Sequence, residues 1–113
     1  MPPLNQVEAS LGNSPRPAAL QTLIRFLAEE SSQVIITNHA EERMLERGIT
    51  SRMLFDTLKC GIITGGIEPT NTPGDFKVKL TNRVGNGRHV GVVTVVKRND
   101  RLIIVTVEWE DGR

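Results

Sequence analysis

The sequence predicts an α+β domain in which N-terminal helices pack on one face of an antiparallel sheet of about four strands. Three observations carry that prediction. Leu20, Leu23, Ile24 and Leu27 recur at i, i+3, i+4 and i+7, the spacing of one apolar helix stripe. Asn38 to Gly61 holds two short helical segments with a tight corner at Gly48-Ile49. After Gly61 the period falls to two, as in Phe76-Lys77-Val78-Lys79-Leu80, and β-branched residues take over.

Residues 1 to 13, rich in Pro, Asn and Gly, read as a flexible arm, and 14 to 113 as a single domain. Ser14 can cap the first helix, with Pro15 and Pro17 in the first turn, where a missing N–H costs little. That helix ends near Ser31, and its leucine stripe docks on the domain or, in a homodimer, on a second copy. Val34 to Ile36 is either an extended connector or a brief edge strand. The second helix runs from His39 to about Arg47, with Asn38 as N-cap and Gly48 as the left-handed stop. Only Ala40 and Met44 give it a clear buried stripe. Thr50 caps the third helix, Met53, Leu54 and Leu58 form its core face, and Gly61 ends it.

Ile62 to Ile67 is a strand loosened by Gly65 and Gly66, and Glu68 to Gly74 is loop chemistry throughout. Phe76 to Thr81 is a half-buried strand. His89 to Lys97 and Arg101 to Trp109 are apolar on both faces and form the central strands. A two-residue turn at Asn99-Asp100 would put His89, Gly91, Thr106 and Glu108 on one sheet face. A three-residue turn would separate His89 from Thr106. The two-residue turn is favoured as the commonest hairpin connection.

A chain of 113 residues, 38% hydrophobic and 24% charged, can build a core without disulfides or metal. Its one cysteine, Cys60, excludes an internal disulfide and a Cys-rich zinc site, and fits a reducing cytoplasm. With no adjacent base in sequence, Cys60 reads as a small buried hydrophobe rather than a nucleophile. No apolar run reaches the roughly 18 residues of a membrane span. A soluble cytoplasmic protein without membrane contact is expected. The two histidines lack carboxylates at ligand spacing, so neither metal nor cofactor is expected. Three Phe, one Trp and no Tyr are too few for a base-stacking platform. Net charge is only +1, yet Phe76 to Asn99 carries Lys77, Lys79, Arg83, Arg88, Lys97 and Arg98 with no acid. Such asymmetry predicts a local basic face.

The most telling stretch is His39-Ala40-Glu41-Glu42-Arg43-Met44-Leu45-Glu46-Arg47-Gly48-Ile49. His39, Arg43 and Arg47 step by four and fall on one helix stripe, which suits an anion such as phosphate. The bland alternatives are intrahelical pairs of His39 with Glu42 and Arg43 with Glu46, and a helix dipole that favours Arg47 regardless of function. This motif, with the closing strand pair, resembles the DUF4258 family of bacterial domains of unknown function. Through that family the chain is similar to the RelE/ParE-like toxins of the barnase–EndoU–colicin–RelE group of small ribonucleases. The resemblance covers roughly residues 34 to 109 and implies a RelE-like fold. It also implies His39, Arg43, Arg47 and Thr106 as family positions, with His89 opening the central strand. The chain has no tyrosine, so a tyrosine-assisted mechanism does not apply.

The expected function is therefore a small toxin or effector acting as a metal-independent endoribonuclease. Such cleavage needs a base for the 2′-hydroxyl, an acid for the leaving 5′-oxygen and cations for the phosphate. His39, Arg43, His89 and Thr106 are the candidate catalytic group; Arg47, Lys79 and Arg88 are the candidate substrate contacts. The expected partners are RNA, free or ribosome-associated, and a cognate antitoxin or immunity protein. A non-catalytic module that binds a protein or nucleic acid through the same basic face is the alternative.

Overall fold

A computed structural model describes residues 15 to 111. The 1 to 13 arm lies outside the described residues, and the expected Ser14 cap does not hold: the N-cap of the first helix is Arg16, without a side-chain cap bond, and Pro15 precedes the helix. Helix α1 (Pro17–Ala28) leads through a 3-10 turn to strand β1 (Val34–Ile36). Helices α2 (Asn38–Arg47) and α3 (Ser51–Cys60) follow, then β2 (Ile62–Pro69), β3 (Phe76–Arg83), β4 (His89–Lys97) and β5 (Arg101–Trp109). The strands form one sheet in the order β1-β5-β4-β3-β2.

The predicted α1 stripe is the floor of the core. Leu20, Leu23 and Ile24 are fully buried, and Leu27 nearly so. They dock within the chain and offer no surface to a second copy. α1 also pins the far edge of the sheet, because the Gln21 Oε1 accepts the Ile63 N–H at 2.9 Å. Pro17 takes the first helical position, where no intrahelical partner is lost.

The sheet has five strands rather than about four, and it is mixed rather than antiparallel throughout. The extra strand is β1, which runs parallel to β5 with Val34, Ile35 and Ile36 opposite Leu102, Ile103 and Ile104. Thr37 ends that pairing by donating both its N–H (3.3 Å) and its hydroxyl (2.8 Å) to the Ile104 carbonyl. The same hydroxyl accepts the Ala40 N–H at 3.1 Å. Thr37, not Asn38, is therefore the N-cap of α2, which starts one residue earlier than the sequence suggests. Gly48 has the expected left-handed φ of 68°. Thr50 caps α3 by accepting the Met53 N–H at 3.1 Å.

Gly61 ends α3 in an extended conformation, so its role is close approach rather than a positive φ. A Cβ there would collide with the Thr57 carbonyl oxygen and lie 2.8 Å from that of Thr81. Cys60 is exposed, contrary to its reading as a buried hydrophobe, because the core face of the last turn is taken by Thr57 and Leu58.

The β4–β5 turn takes three residues, with Lys97 opposite Arg101 and Asp100 in the left-handed region at φ 66°. The cause lies outside the hairpin. Buried Asp75 accepts the Arg98 N–H at 2.8 Å and pairs with the Lys97 ammonium at 2.8 Å, fixing the turn from the β2–β3 side. One extra residue in β5, Val105, then makes a bulge between the Val93–Thr106 and Thr94–Ile104 pairs. The bulge cancels the offset of the turn. Gly91 still faces Glu108, and His89, Gly91, Thr106 and Glu108 share a face as the favoured register requires.

On the other face Val78, Leu80, Val90, Val92, Leu102, Ile104 and Val107 meet the apolar sides of all three helices in one core. Among the described residues, helices thus back the sheet on one side only.

Candidate functional site

Alternation along the strands places Lys77, Lys79, His89, Gly91, Val93, Thr106 and Glu108 on the face that no described helix covers. The wall of this face is shaped by β2, whose pairing with β3 breaks between Thr64 and Glu68, around Gly65 at φ 75° and Gly66. The result is a shallow concavity of about 420 Å³, lined among others by Thr64, Glu68, Lys77, Lys79, Val93 and Thr106.

At its rim, Lys79 carries two carboxylates. Its ammonium lies 2.8 Å from Glu108 and 2.6 Å from Glu110. Glu108 is on β5 and Glu110 lies just past its end, where its N–H still bonds the His89 carbonyl, so the strand period sends both to the same face. Lys79 reaches them from β3 by crossing β4 at Gly91. A Cβ on Gly91 would collide with the Glu110 carboxylate and lie 2.8 Å from Lys79 Cε. The missing side chain is what lets three strands share one ion cluster. Burial opposes the charge on Lys79, but its hydrogen bonds to Glu108 and Glu110 outweigh it and hold the ammonium above its ordinary value. The bond from Lys79 keeps the Glu108 carboxyl below the ordinary range despite partial burial, with Arg47 adding attraction.

The sequence candidates divide into two groups. His89, Lys79 and Thr106 share the open face: Lys79 and the half-buried Thr106 line the concavity, while His89 is exposed at the start of β4, outside that lining. The His39–Arg43–Arg47 stripe lies on α2, which packs against β5. His39 is exposed in the first turn of α2, about 12 Å along the axis from Arg47. Arg43 is ion-paired with Glu46. The Arg47 guanidinium donates to the Val107 carbonyl at 2.8 Å, and its own carbonyl accepts the Trp109 indole N–H at 2.7 Å. Arg88 grips Asp111 at 2.7 and 3.3 Å and lies over the Trp109 ring, 3.9 Å from its centroid.

The basic run from Phe76 to Asn99 is thus interleaved with acids from elsewhere. Glu108 and Glu110 meet Lys79, Asp111 meets Arg88, and Asp75 meets Lys97. Glu110 and Gly91 are the participants that sequence reasoning missed as a pair. Their signal was the two-residue spacing of Glu108 and Glu110, legible only once the register across three strands is known.

These features define a class: a small α+β domain whose mixed sheet is backed by helices on one face and carries a lysine–carboxylate cluster on the other. Within that class, the chain belongs to the family described as Domain of unknown function (DUF4258), which it matches over residues 36–109. That span holds α2, α3 and β2 to β5, and leaves α1 before it. No curated protein and no solved structure matches the chain.

Proposed function

We propose that this protein is a small RelE-like toxin or effector that cleaves RNA without a metal, using the sheet face opposite the described helices. The observation that carries this reading is one sheet face on which Lys77, Lys79 and Thr106 line a concavity, Glu108 and Glu110 hold Lys79 at its rim, and His89 stands beyond them at the start of β4. Proton carriers and cations on neighbouring strands are what in-line transfer from a 2′-hydroxyl requires. His89 protonates the leaving 5′-oxygen, Lys79 meets the phosphate, and Thr106 orients it. Lys77 and Arg83, both exposed on β3, extend the track for the RNA backbone. His39, Arg43 and Arg47 flank this track along β5 rather than forming its centre. RNA, including ribosome-bound RNA, is the substrate, the cytoplasm is the site of action, and a cognate antitoxin is the restraining partner.

A second reading has its own observation. Arg43, Lys79, Arg88 and Lys97 already hold carboxylates of the same chain, so a phosphate must displace acids before it binds. That arrangement suits a non-catalytic module that exchanges ion pairs with a protein partner.

Purified protein incubated with short single-stranded RNA separates the two. The expected result is cleavage that His89→Ala lowers by about two to four orders of magnitude, the usual contribution of a general acid, and that His39→Ala lowers much less. Wild-type protein that binds RNA or a partner and leaves RNA intact overturns the enzyme reading in favour of the module.

A further inference from the structure

We infer that Glu110 is the proton acceptor of this site and that Lys79 is the cation its protonation releases to the phosphate. This inference rests on the RNA-cleaving reading above. The chain has no tyrosine, and His39 lies on α2 rather than on this sheet face, so the face needs its own base. Glu110 is the less exposed of the two carboxylates beside Lys79, with side-chain exposure of 24% against 38% for Glu108. It is also tied to the other proposed proton carrier, since its N–H donates to the His89 carbonyl at 2.8 Å. Base and acid therefore sit at adjoining ends of neighbouring strands, and the backbone fixes their separation.

The space was kept open for this carboxylate. Gly91 lies beneath it, and any side chain there would occupy the position of Glu110. Lys79 bonds Glu108 and holds its carboxyl below the ordinary range, with Arg47 adding attraction.

The step balances without a co-reactant. Glu110 takes the ribose 2′-hydroxyl proton as the 2′-oxygen forms its bond to phosphorus. The bond to the 5′-oxygen breaks, and that oxygen takes a proton from the His89 imidazolium. The products are a 2′,3′-cyclic phosphate and a free 5′-hydroxyl, and both side chains return to their starting state through solvent. Protonated Glu110 no longer competes for Lys79, so the ammonium turns to the phosphate as its charge grows. Stabilisation that appears only as the reaction proceeds is the kind that raises rate.

The test uses the full chain and a short single-stranded RNA, with rates measured over a range of pH. Glu110→Gln keeps size and removes basicity. It should lower cleavage by about 100- to 10,000-fold and abolish the acidic limb of the pH–rate profile. Glu108→Gln should keep that limb and lose less than about tenfold. Glu110→Asp, which retains a carboxylate should the glutamine variant fail to fold, should cleave slowly with the limb preserved. Folded Glu110→Gln with near wild-type cleavage, or an acidic limb that persists in it, overturns the inference and leaves the ribonuclease reading standing. Wild-type protein that cleaves no RNA overturns both.

Discussion

Arg47 is where a framework role and a ligand role can be told apart by a single truncation. Its guanidinium donates to the Val107 carbonyl, on the edge of β5 beyond the last residue paired with β1. A hydrogen bond from a charged donor contributes about 1.5 to 3 kcal/mol. Arg47 is an exposed residue, so water can replace part of that bond when it is lost, and the net loss falls at the bottom of that range or slightly below it. Its attraction to Glu108 is a small addition of the same sign. The Trp109 indole bond is to the Arg47 backbone carbonyl and survives truncation. Arg47→Ala should therefore destabilise by about 1 to 2 kcal/mol, which lowers Tm by roughly 4 to 12 °C in a domain of this size. Differential scanning calorimetry at low and high salt measures it, and the shift should persist at high salt because the acceptor is a carbonyl. Arg47→Lys should recover little, since a flexible ammonium lacks the planar fork. A Tm within about 1 °C of wild type, accompanied by weakened RNA binding, would refute the edge-clamp account and make Arg47 a ligand contact.

Two further outcomes follow from the geometry. Gly61→Ala places a methyl against two backbone oxygens that have no room to yield, and should cost about 3 kcal/mol, at the upper end of overpacking; a urea midpoint that falls with an unchanged slope confirms it. Glu108 is held below its ordinary 4.5, so its contribution to stability is present above that pH and lost as pH falls through the depressed folded value. Lys79 is held above its ordinary 10.5, so its contribution is full below that pH and lost as pH rises through the folded value. Thermal melts of Lys79→Met across that range should show a flatter pH dependence at both ends than wild type.

What was legible in the sequence was local. The α1 stripe, the Gly48 stop and the Thr50 cap depend on residues within a turn or two of each other, and periodicity reports them directly. The missed features all need distant partners. β1 is only three residues long and becomes a strand because β5 offers it an edge, with Thr37 and Ile104 bonded across 67 positions. The hairpin turn is set by Asp75, 23 residues before Arg98. The shared face of His89 and Thr106 was anticipated, yet it arises from a longer turn and a compensating bulge rather than from the shorter turn. Of the candidate site, His89, Thr106 and Lys79 were readable as members of one face, while the Glu110–Gly91 arrangement needed the third strand in register.

The two short elements along β5 also bear on what this chain does in company. Leu102 to Val107, LIIVTV, is uncharged, free of proline and rich in β-branched residues, the profile of a segment that stacks into cross-β fibrils when its backbone is bare. In the folded chain one side of that segment is paired with β4, and the other is covered by β1, Thr37 and the Arg47 guanidinium. α2 has little apolar surface with which to contribute to the core, yet it helps occupy hydrogen-bonding groups that another copy would otherwise find. The polar helix motif that first suggests a ligand is, in this light, also a guard against aggregation. Loosening it exposes a strand edge as well as unseating Ala40 and Met44 from the core.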